Sequence, residues 1–301
     1  MLLIYTIIIS ICILLAVGFF TLLERKILGY IQYRKGPNKV GIQGLPQPLA
    51  DAVKLLCKEY VQILHSNKNF FMYSPLLAMM IMLTLWSLYN SAFNFPMKYG
   101  ILFFLAISSL NVYSTLMAGW ASNSKYALLG AIRAVAQTIS YEISMAILLI
   151  CLCILSETLN LTKMSQGSLL MIIMPSLLLM WFITCLAETN RAPFDLAEGE
   201  SELVSGFNIE YGGALFAFLF IAEYGSILFM SMLTSMMFFH TSMKMMEIMF
   251  PIKMLMLLTI ASAFLWVRGT YPRLRYDQLM SLTWKTFLPL VLLIMMIILV
   301  M

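Results

Sequence analysis

The sequence predicts an all-α integral membrane protein with about eight transmembrane helices, on the basis of its composition and of its long apolar stretches. Of 301 residues, 61% are hydrophobic and only 11% are charged, whereas a soluble domain carries about 25% charged residues. A soluble chain of this composition would lack the polar side chains that cover a surface. The net charge of +5 does not indicate a nucleic-acid partner, because the basic residues are too few and too scattered to form a phosphate-binding face.

The positions of the spans follow from the thickness of the bilayer. A hydrocarbon core about 30 Å thick needs roughly 20 apolar residues in a helix, and backbone amides in lipid must be satisfied within the segment. One polytopic membrane domain, residues 1–301, is predicted, with inner loops at 24–69, 121–129, 188–212 and 268–283. The eight predicted spans cover approximately residues 2–23, 70–90, 100–120, 130–155, 168–187, 213–236, 248–267 and 284–301.

The distribution of basic residues predicts the orientation. Loops rich in Lys and Arg remain on the cytoplasmic or matrix side of a membrane, so both termini are predicted to face the opposite side. The inner loops hold thirteen basic residues, namely Arg25, Lys26, Arg34, Lys35, Lys39, Lys54, Lys58, Lys68, Lys125, Arg191, Arg268, Arg273 and Arg275. The other side holds four, namely Lys98, Lys163, Lys244 and Lys253.

The first inner loop contains a predicted amphipathic helix that begins near Leu49. Its apolar residues recur at helical spacing, and its charged residues lie on the opposite face. Such a helix is typical of one that lies at the membrane interface, or of one that packs on other subunits, and the sequence leaves both interpretations open. The apolar set is Leu49, Ala52, Val53, Leu56, Tyr60 and Ile63, and the charged set is Asp51, Lys54 and Lys58.

No metal site is predicted from the ligand residues of this chain. The five cysteines include no Cys-x-x-Cys pair, so their spacing does not supply an iron–sulfur cluster. His65 and His240 are the only histidines, which is too few for a histidine-based site.

Three of the charged residues inside the predicted spans stand out, because a charge there is energetically expensive and typically marks an ion pathway. Glu142 and Glu223 lie near the midpoints of the fourth and sixth spans, and Arg133 lies nine residues before Glu142. At 100° per residue, Arg133 and Glu142 face opposite ways and need partners elsewhere. The two carboxyl groups are either neutral acids that bridge helices or groups that load and release protons.

The densest polar stretch is residues 188–210, which we call the acidic segment. It contains six acids and one base, and Glu198, Glu200 and Glu202 alternate at a spacing of two. Like charges so close together titrate as a coupled set. A solvated acidic loop is one reading. Interleaved apolar residues, and a strongly basic first inner loop on the same side, favour instead a cavity for a molecule with an apolar tail and a polar, proton-accepting head.

These residues closely resemble the chain 1 subunits of respiratory NADH:ubiquinone oxidoreductase (complex I) in their mitochondrially encoded form. The resemblance covers essentially the whole chain, and the acidic segment is highly specific to this family and its hydrogenase relatives. The matching stretches are residues 24–26, 36–41, 47–54, 133–137, 141–142, 187–211, 222–224 and 268–273.

The resemblance implies a core membrane subunit of a proton-pumping enzyme in the mitochondrial inner membrane, with both termini on the intermembrane-space side. Its expected substrate is ubiquinone, whose access chamber this subunit would largely form. NADH, flavin and the iron–sulfur clusters would lie on other subunits, so the isolated chain is not expected to be active. The expected partners are other membrane-arm subunits, the quinone-site subunits of the peripheral arm and the phospholipid bilayer.

The resemblance and the charge pattern together nominate three sets of site residues. The expected proton relay is Asp51, Glu142, Glu188 and Glu223. The expected coupling group in the acidic segment is Asp195, Glu198, Glu200 and Glu202. The expected quinone-binding group is Glu24, Arg25, Arg34, Arg191, Phe220, Tyr224 and Arg268, with Phe220 and Tyr224 against the quinone tail.

Two other classes of function compete with this interpretation. A free-standing proton-coupled secondary transporter typically has related halves and interrupted spans, and the sequence has no internal repeat or paired breaks. A purely structural anchor would not need charged residues at mid-membrane.

Overall fold

The structure is a computed structural model that describes residues 2–59, 64–89, 97–164, 174–197, 199, 206–208, 210–239 and 246–300. Within these residues the regular elements are helices, and no strand occurs. Seven of the described helices are long and apolar enough to cross a membrane, and Pro175–Glu188 is a shorter apolar helix. The predicted all-α membrane class is therefore confirmed.

The described helices are numbered here in chain order. They are α1 (Leu2–Ile31), α2 (Gln47–Cys57), α3 (Lys68–Trp86), α4 (Gly100–Ala121), α5 (Lys125–Ser156), α6 (Leu161–Met164), α7 (Pro175–Glu188), α8 (Gly213–Phe238), α9 (Met246–Thr270) and α10 (Tyr276–Val300). A 3₁₀ turn, Gly206–Asn208, precedes α8, and α10 contains a π-helical stretch, Leu282–Phe287.

Helix boundaries differ from the predicted spans where a helix extends past the apolar residues. α1 continues to Ile31, beyond the predicted end at residue 23, because its main-chain hydrogen bonds do not depend on the lipid. α5 likewise begins at Lys125. Residues 168–173 of the fifth predicted span lie outside the described residues, as do Tyr60 and Ile63 of the predicted amphipathic helix.

α8 is the centre of the bundle and positions the site. It is the most buried of the candidate spans, and it packs against α1, α2, α3, α7 and α9. The contact with α3 is close, because a Cβ at Gly225 would lie 2.7 Å from the Met82 side chain. Trp86 Nε1 also donates to the Gly225 carbonyl at 3.2 Å. Small residues permit such approaches in membranes, where packing and not water exclusion holds helices together.

α2 packs against α1 and against the start of α8, and its apolar face is left uncovered. A Cβ at Gly213, at the start of α8, would be 3.5 Å from the main-chain carbonyls of Lys58 and Glu59 just past α2. Leu49, Val53 and Leu56 are 57%, 60% and 58% exposed. An apolar face of this kind suits either the membrane surface or another subunit, as expected from the sequence.

Candidate functional site

The buried carboxylate of Glu24, in α1, contacts two arginines that are distant from it in the sequence. Glu24 is only 3% exposed. Its Oε1 accepts a hydrogen bond from Arg268 at the end of α9, and it lies 3.6 Å from Nη1 of Arg191 in the acidic segment. Burying a carboxylate is tolerable when guanidinium groups neutralise it. The structure thus brings together three members of the predicted quinone-binding group.

Tyr224 of α8 completes this group, which we call the Glu24 cluster (Glu24, Arg191, Tyr224 and Arg268). The Arg191 guanidinium lies 4.2 Å from the centroid of the Tyr224 ring, within the range of a cation–π contact. Hydrogen bonds link the Tyr224 side chain to Glu24 and Arg191. The ring of Phe220, one turn earlier, has its centroid 6.4 Å from that of Tyr224. An aromatic surface therefore continues from the charged cluster along α8.

Arg191 stays charged in this setting. Burial alone lowers the pKa of its guanidinium, but Tyr224, Glu24 and Glu223 raise it, and the net direction is upward. Glu223 of α8 is thus a second carboxyl group that interacts electrostatically with Arg191. Arg191 is consequently a permanent positive charge that interacts with both Glu24 and the mid-helix carboxyl group of Glu223.

A small polar cavity lies beside the cluster. Its volume is about 50 Å³, and a water molecule needs roughly 10–15 Å³ of this kind of space. Two oxygen atoms of lining residues, Glu188 Oε2 and Asn190 Oδ1, are buried without a hydrogen-bond partner, which is the setting that binds water. The polar lining residues are Asn111, Ser114, Thr115, Glu188, Thr189, Asn190, Glu223 and Ser226.

Only two of the four predicted relay residues line this cavity. Glu188 and Glu223 both line it, and the charge of Glu142, in α5, acts on Glu188. Asp51 lies instead in α2, where its Oδ2 accepts from Arg25 at 2.7 Å and its Oδ1 from Gln47 at 3.0 Å. Arg34 is exposed in the loop after α1.

The described part of the acidic segment forms ion pairs with two other parts of the chain. The sequence predicted a cavity between this segment and the basic first inner loop. Asp195 Oδ2 accepts from Arg273 Nη2 of the α9–α10 connection at 2.8 Å. The segment contacts α1 through the basic Arg191 and the acidic Glu24. Glu198, Glu200 and Glu202 lie outside the described residues.

Several polar residues at the site were not nominated from the sequence. Gln137 of α5 is fully buried and donates to main-chain carbonyls on both sides of Arg191. Asn111, Ser114 and Thr115 of α4 line the cavity. Each is an uncharged polar residue within a span, and a search for uncharged hydrogen-bonding groups in lipid would have found them, whereas a search for charges does not.

Comparison with known proteins bears on the identity of the chain. Residues 4–299 match the family model described as NADH dehydrogenase. The protein is 53% identical over 293 residues to NADH-ubiquinone oxidoreductase chain 1 of Emballonura alecto, with 93% of this chain and 90% of the relative covered. It is 52% identical to the chains of the same name from Heterololigo bleekeri, with 95% and 92% covered, and Aedes aegypti, with 95% and 91% covered. The chain therefore belongs to the NADH dehydrogenase family, among relatives named NADH-ubiquinone oxidoreductase chain 1.

Proposed function

We propose that this chain is the membrane subunit of NADH:ubiquinone oxidoreductase that forms much of the ubiquinone access chamber and couples quinone reduction to proton translocation. The substrate of the assembled complex is ubiquinone, and NADH, flavin and the iron–sulfur clusters lie on other subunits. The chain resides in the mitochondrial inner membrane with both termini on the intermembrane-space side. It acts only as part of the complex, together with other membrane-arm subunits and the quinone-site subunits of the peripheral arm.

One observation carries the proposal: Arg191 connects an aromatic, charged cluster to a polar cavity lined by carboxyl groups. The cluster supplies Glu24, Arg268 and the ring of Tyr224. The cavity supplies Glu188 and Glu223, and the charge of Glu223 acts on Arg191. A chamber for a quinone needs an apolar path for the tail and charged groups near the head, and an adjoining relay needs acids with room for water.

Quinone reduction provides the signal that such a site can transmit. A quinone takes up two electrons, delivered by neighbouring subunits, and two protons to become a quinol, so the charge near the headgroup changes during the reaction. A permanently charged guanidinium beside that headgroup shifts or changes its ion pairing in response. In a site of low dielectric constant such a shift alters the proton affinity of nearby carboxyl groups.

The relay consists, in our proposal, of Glu188, Glu223 and Glu142. Water in the cavity joins Glu188 to Glu223, and Glu142 follows on α5 through its electrostatic interaction with Glu188. Asp195, Glu198, Glu200 and Glu202 sense the quinone through protonation or rearrangement of the acidic segment. Asp51, with Arg25 and Arg34, contributes to the loop that closes over the chamber.

Labelling with a photoreactive ubiquinone analogue tests the chamber. In the purified complex we expect crosslinks on peptides that contain Glu24 and Arg25, or on the acidic segment. Excess unlabelled ubiquinone should suppress them. Crosslinks confined to other subunits would remove this chain from the quinone site.

A carboxamide substitution tests the relay. Glu142→Gln keeps the shape of the side chain and removes its charge, so the complex should assemble while coupled turnover falls by about tenfold or more. The matched control is Glu157→Gln at the exposed end of the same helix, which should leave turnover unchanged. Proton-to-electron stoichiometry in vesicles is the measurement, and normal values for both variants would contradict the relay.

A further inference from the structure

The start of the acidic segment is held from the α5 side by one buried amide. Gln137 is 0% exposed. Its Nε2 donates to the carbonyl of Ala187 at 2.9 Å and to that of Phe194 at 2.8 Å. These two carbonyls lie on either side of Arg191 in the sequence. A single side chain therefore fixes both ends of the short turn that carries the guanidinium.

The same turn is also held by the α9–α10 connection. Arg273 Nη2 donates to Asp195 Oδ2 at 2.8 Å, and the two side chains are 30% and 13% exposed. Next to this ion pair, the main-chain N–H of Leu274 donates to the carbonyl of Pro193 at 3.0 Å. The connection thus meets the turn through one side-chain contact and one main-chain contact.

We propose that Gln137 and Arg273 are positioning residues for Arg191, which they hold over Tyr224 and beside Glu24. This inference rests on the proposed function, because it gives the two residues a part in quinone binding. Gln137 acts through the main-chain carbonyls of Ala187 and Phe194, and Arg273 acts through the side chain of Asp195. Neither acts by direct contact with the quinone.

The geometry of the turn explains why two anchors are needed. Inside the turn, the N–H of Phe194 donates to the carbonyl of Arg191 at 2.8 Å, and the N–H of Arg191 donates to that of Leu186 at 3.2 Å. These local bonds keep the turn compact without fixing where it lies against α1 and α8. A cation–π contact and an ion pair both weaken within a small displacement, so an error of about 1 Å in the turn alters the charge that faces the quinone.

Arg273 offers the cleaner test, because it is partly exposed and its replacement leaves the core intact. In the purified complex, Arg273→Gln should raise the KM for a short-tailed ubiquinone analogue about fivefold with a smaller change in kcat. Arg273→Lys should restore part of the loss, since it keeps the charge but not the forked geometry. The control is Arg275→Gln, whose partner is the exposed Asp277 in the next turn, and it should leave the KM unchanged.

A double-mutant cycle tests whether Arg273 acts through Asp195. Asp195→Asn should raise the KM in the same direction, and the double variant should resemble the more affected single variant, because both remove the same contact. Additive effects, or equal KM values for the Arg273→Gln and Arg275→Gln complexes, would overturn the proposal.

Gln137→Glu tests the buried anchor and covers the case in which a variant assembles poorly. It removes the amide donor at constant shape, so hydrogen exchange of the peptide amides in residues 189–197 should accelerate about tenfold while exchange within α4 stays unchanged. If this exchange is unchanged in both the Gln137→Glu and the Arg273→Gln complexes, the two residues do not position Arg191. This conclusion would hold even where photoreactive ubiquinone labels the chain normally. Absence of label in the unsubstituted complex would instead defeat the proposed function itself.

Discussion

The polar cavity beside the Glu24 cluster and an apolar groove between α4 and α5 contrast within one bundle. The groove lies at the far end of the spans, where the N–H of Ile101 contacts the carbonyl of Leu159. It is the larger space, about 250 Å³ against about 50 Å³. Leu102, Leu105, Leu149 and other apolar residues line it, with Glu157 among the few polar groups.

The contrast teaches that the chemistry of a lining matters more than its volume. Acyl chains fill an apolar groove in a bilayer without breaking a polar interaction, so the groove needs no particular ligand. Charged and unpartnered polar groups are expensive in the same surroundings. The small cavity gathers carboxyl groups from α7 and α8 and uncharged polar groups from α4. On that basis we propose that the cavity and the Glu24 cluster form the functional end of the molecule, called here the working end.

Removing the carboxylate at the centre of the cluster should produce the largest effect at the working end. Glu24→Ala leaves Arg191 buried without its carboxylate, and breaking a buried pair of this kind costs about 3 kcal/mol. We expect a large fall in the yield of assembled complex and in the temperature at which it loses activity. Glu24→Gln, which keeps the hydrogen-bond acceptor, should lose roughly half as much. Normal thermal inactivation of the Glu24→Ala complex would show that the arginines do not depend on this carboxylate.

A substitution in the apolar groove should change the stability of the complex but not its activity. Leu149 is 1% exposed, and Leu149→Ala removes packing contacts at a cost of about 2 kcal/mol, at the lower end of buried leucine truncations because lipid can enter the space. Thermal inactivation of the complex should shift, while the KM for ubiquinone and the proton-to-electron ratio should not. A changed KM for ubiquinone would contradict the proposed functional difference between the groove and the polar cavity.

The fold was predictable because lipid imposes a simple rule. A helix must stay apolar for about 20 residues, and the spans built on α4 and α8 follow the predicted positions within a few residues. The extension of α1 past residue 23 was not predictable from hydropathy, because Glu24, Arg25 and Lys26 end the apolar run but not the helix. These three residues belong to the helix that carries the site.

The site was predictable in its residue types but not in its pairing. Glu142, Glu188 and Glu223 stand out as carboxyl groups within or beside apolar runs. Glu24 finds its partner Arg268 at a separation of 244 residues, and no sequence pattern reports a contact of that kind. The net charges of the loops did not indicate the contact between Arg191 and Glu24, because net charge describes a whole loop, whereas Arg191 is a single base within an acidic segment.

Filling the polar cavity should affect coupling more than stability. Ala222 is 7% exposed and lines the cavity, so the larger side chain of Ala222→Leu should fill the space proposed for water. Overpacking should lower the stability of the bundle by roughly 1–3 kcal/mol. We expect coupled turnover to fall about tenfold, while NADH oxidation by an artificial acceptor, which bypasses the quinone site, continues normally. Ala217→Leu is the control, because Ala217 is equally buried on α8 and does not line the cavity. Equal losses in the two variants would assign the effect to packing in α8.

The smallest effect should come from Tyr211, which is buried near the working end without belonging to the cluster or the cavity lining. Its ring stacks on Phe71 with centroids 4.2 Å apart, and its hydroxyl lies 2.9 Å from Ser74 Oγ. The hydroxyl also donates to the Ala118 carbonyl at 3.4 Å. Tyr211→Phe keeps the stacking and removes both buried hydrogen bonds, of which the shorter is worth about 1 kcal/mol and the longer less. Thermal inactivation should shift slightly, while quinone KM and proton stoichiometry remain normal. A large loss of coupling in this variant would mean that the working end extends beyond Arg191, Glu188 and Glu223, and that buried polar groups near α3 also belong to it.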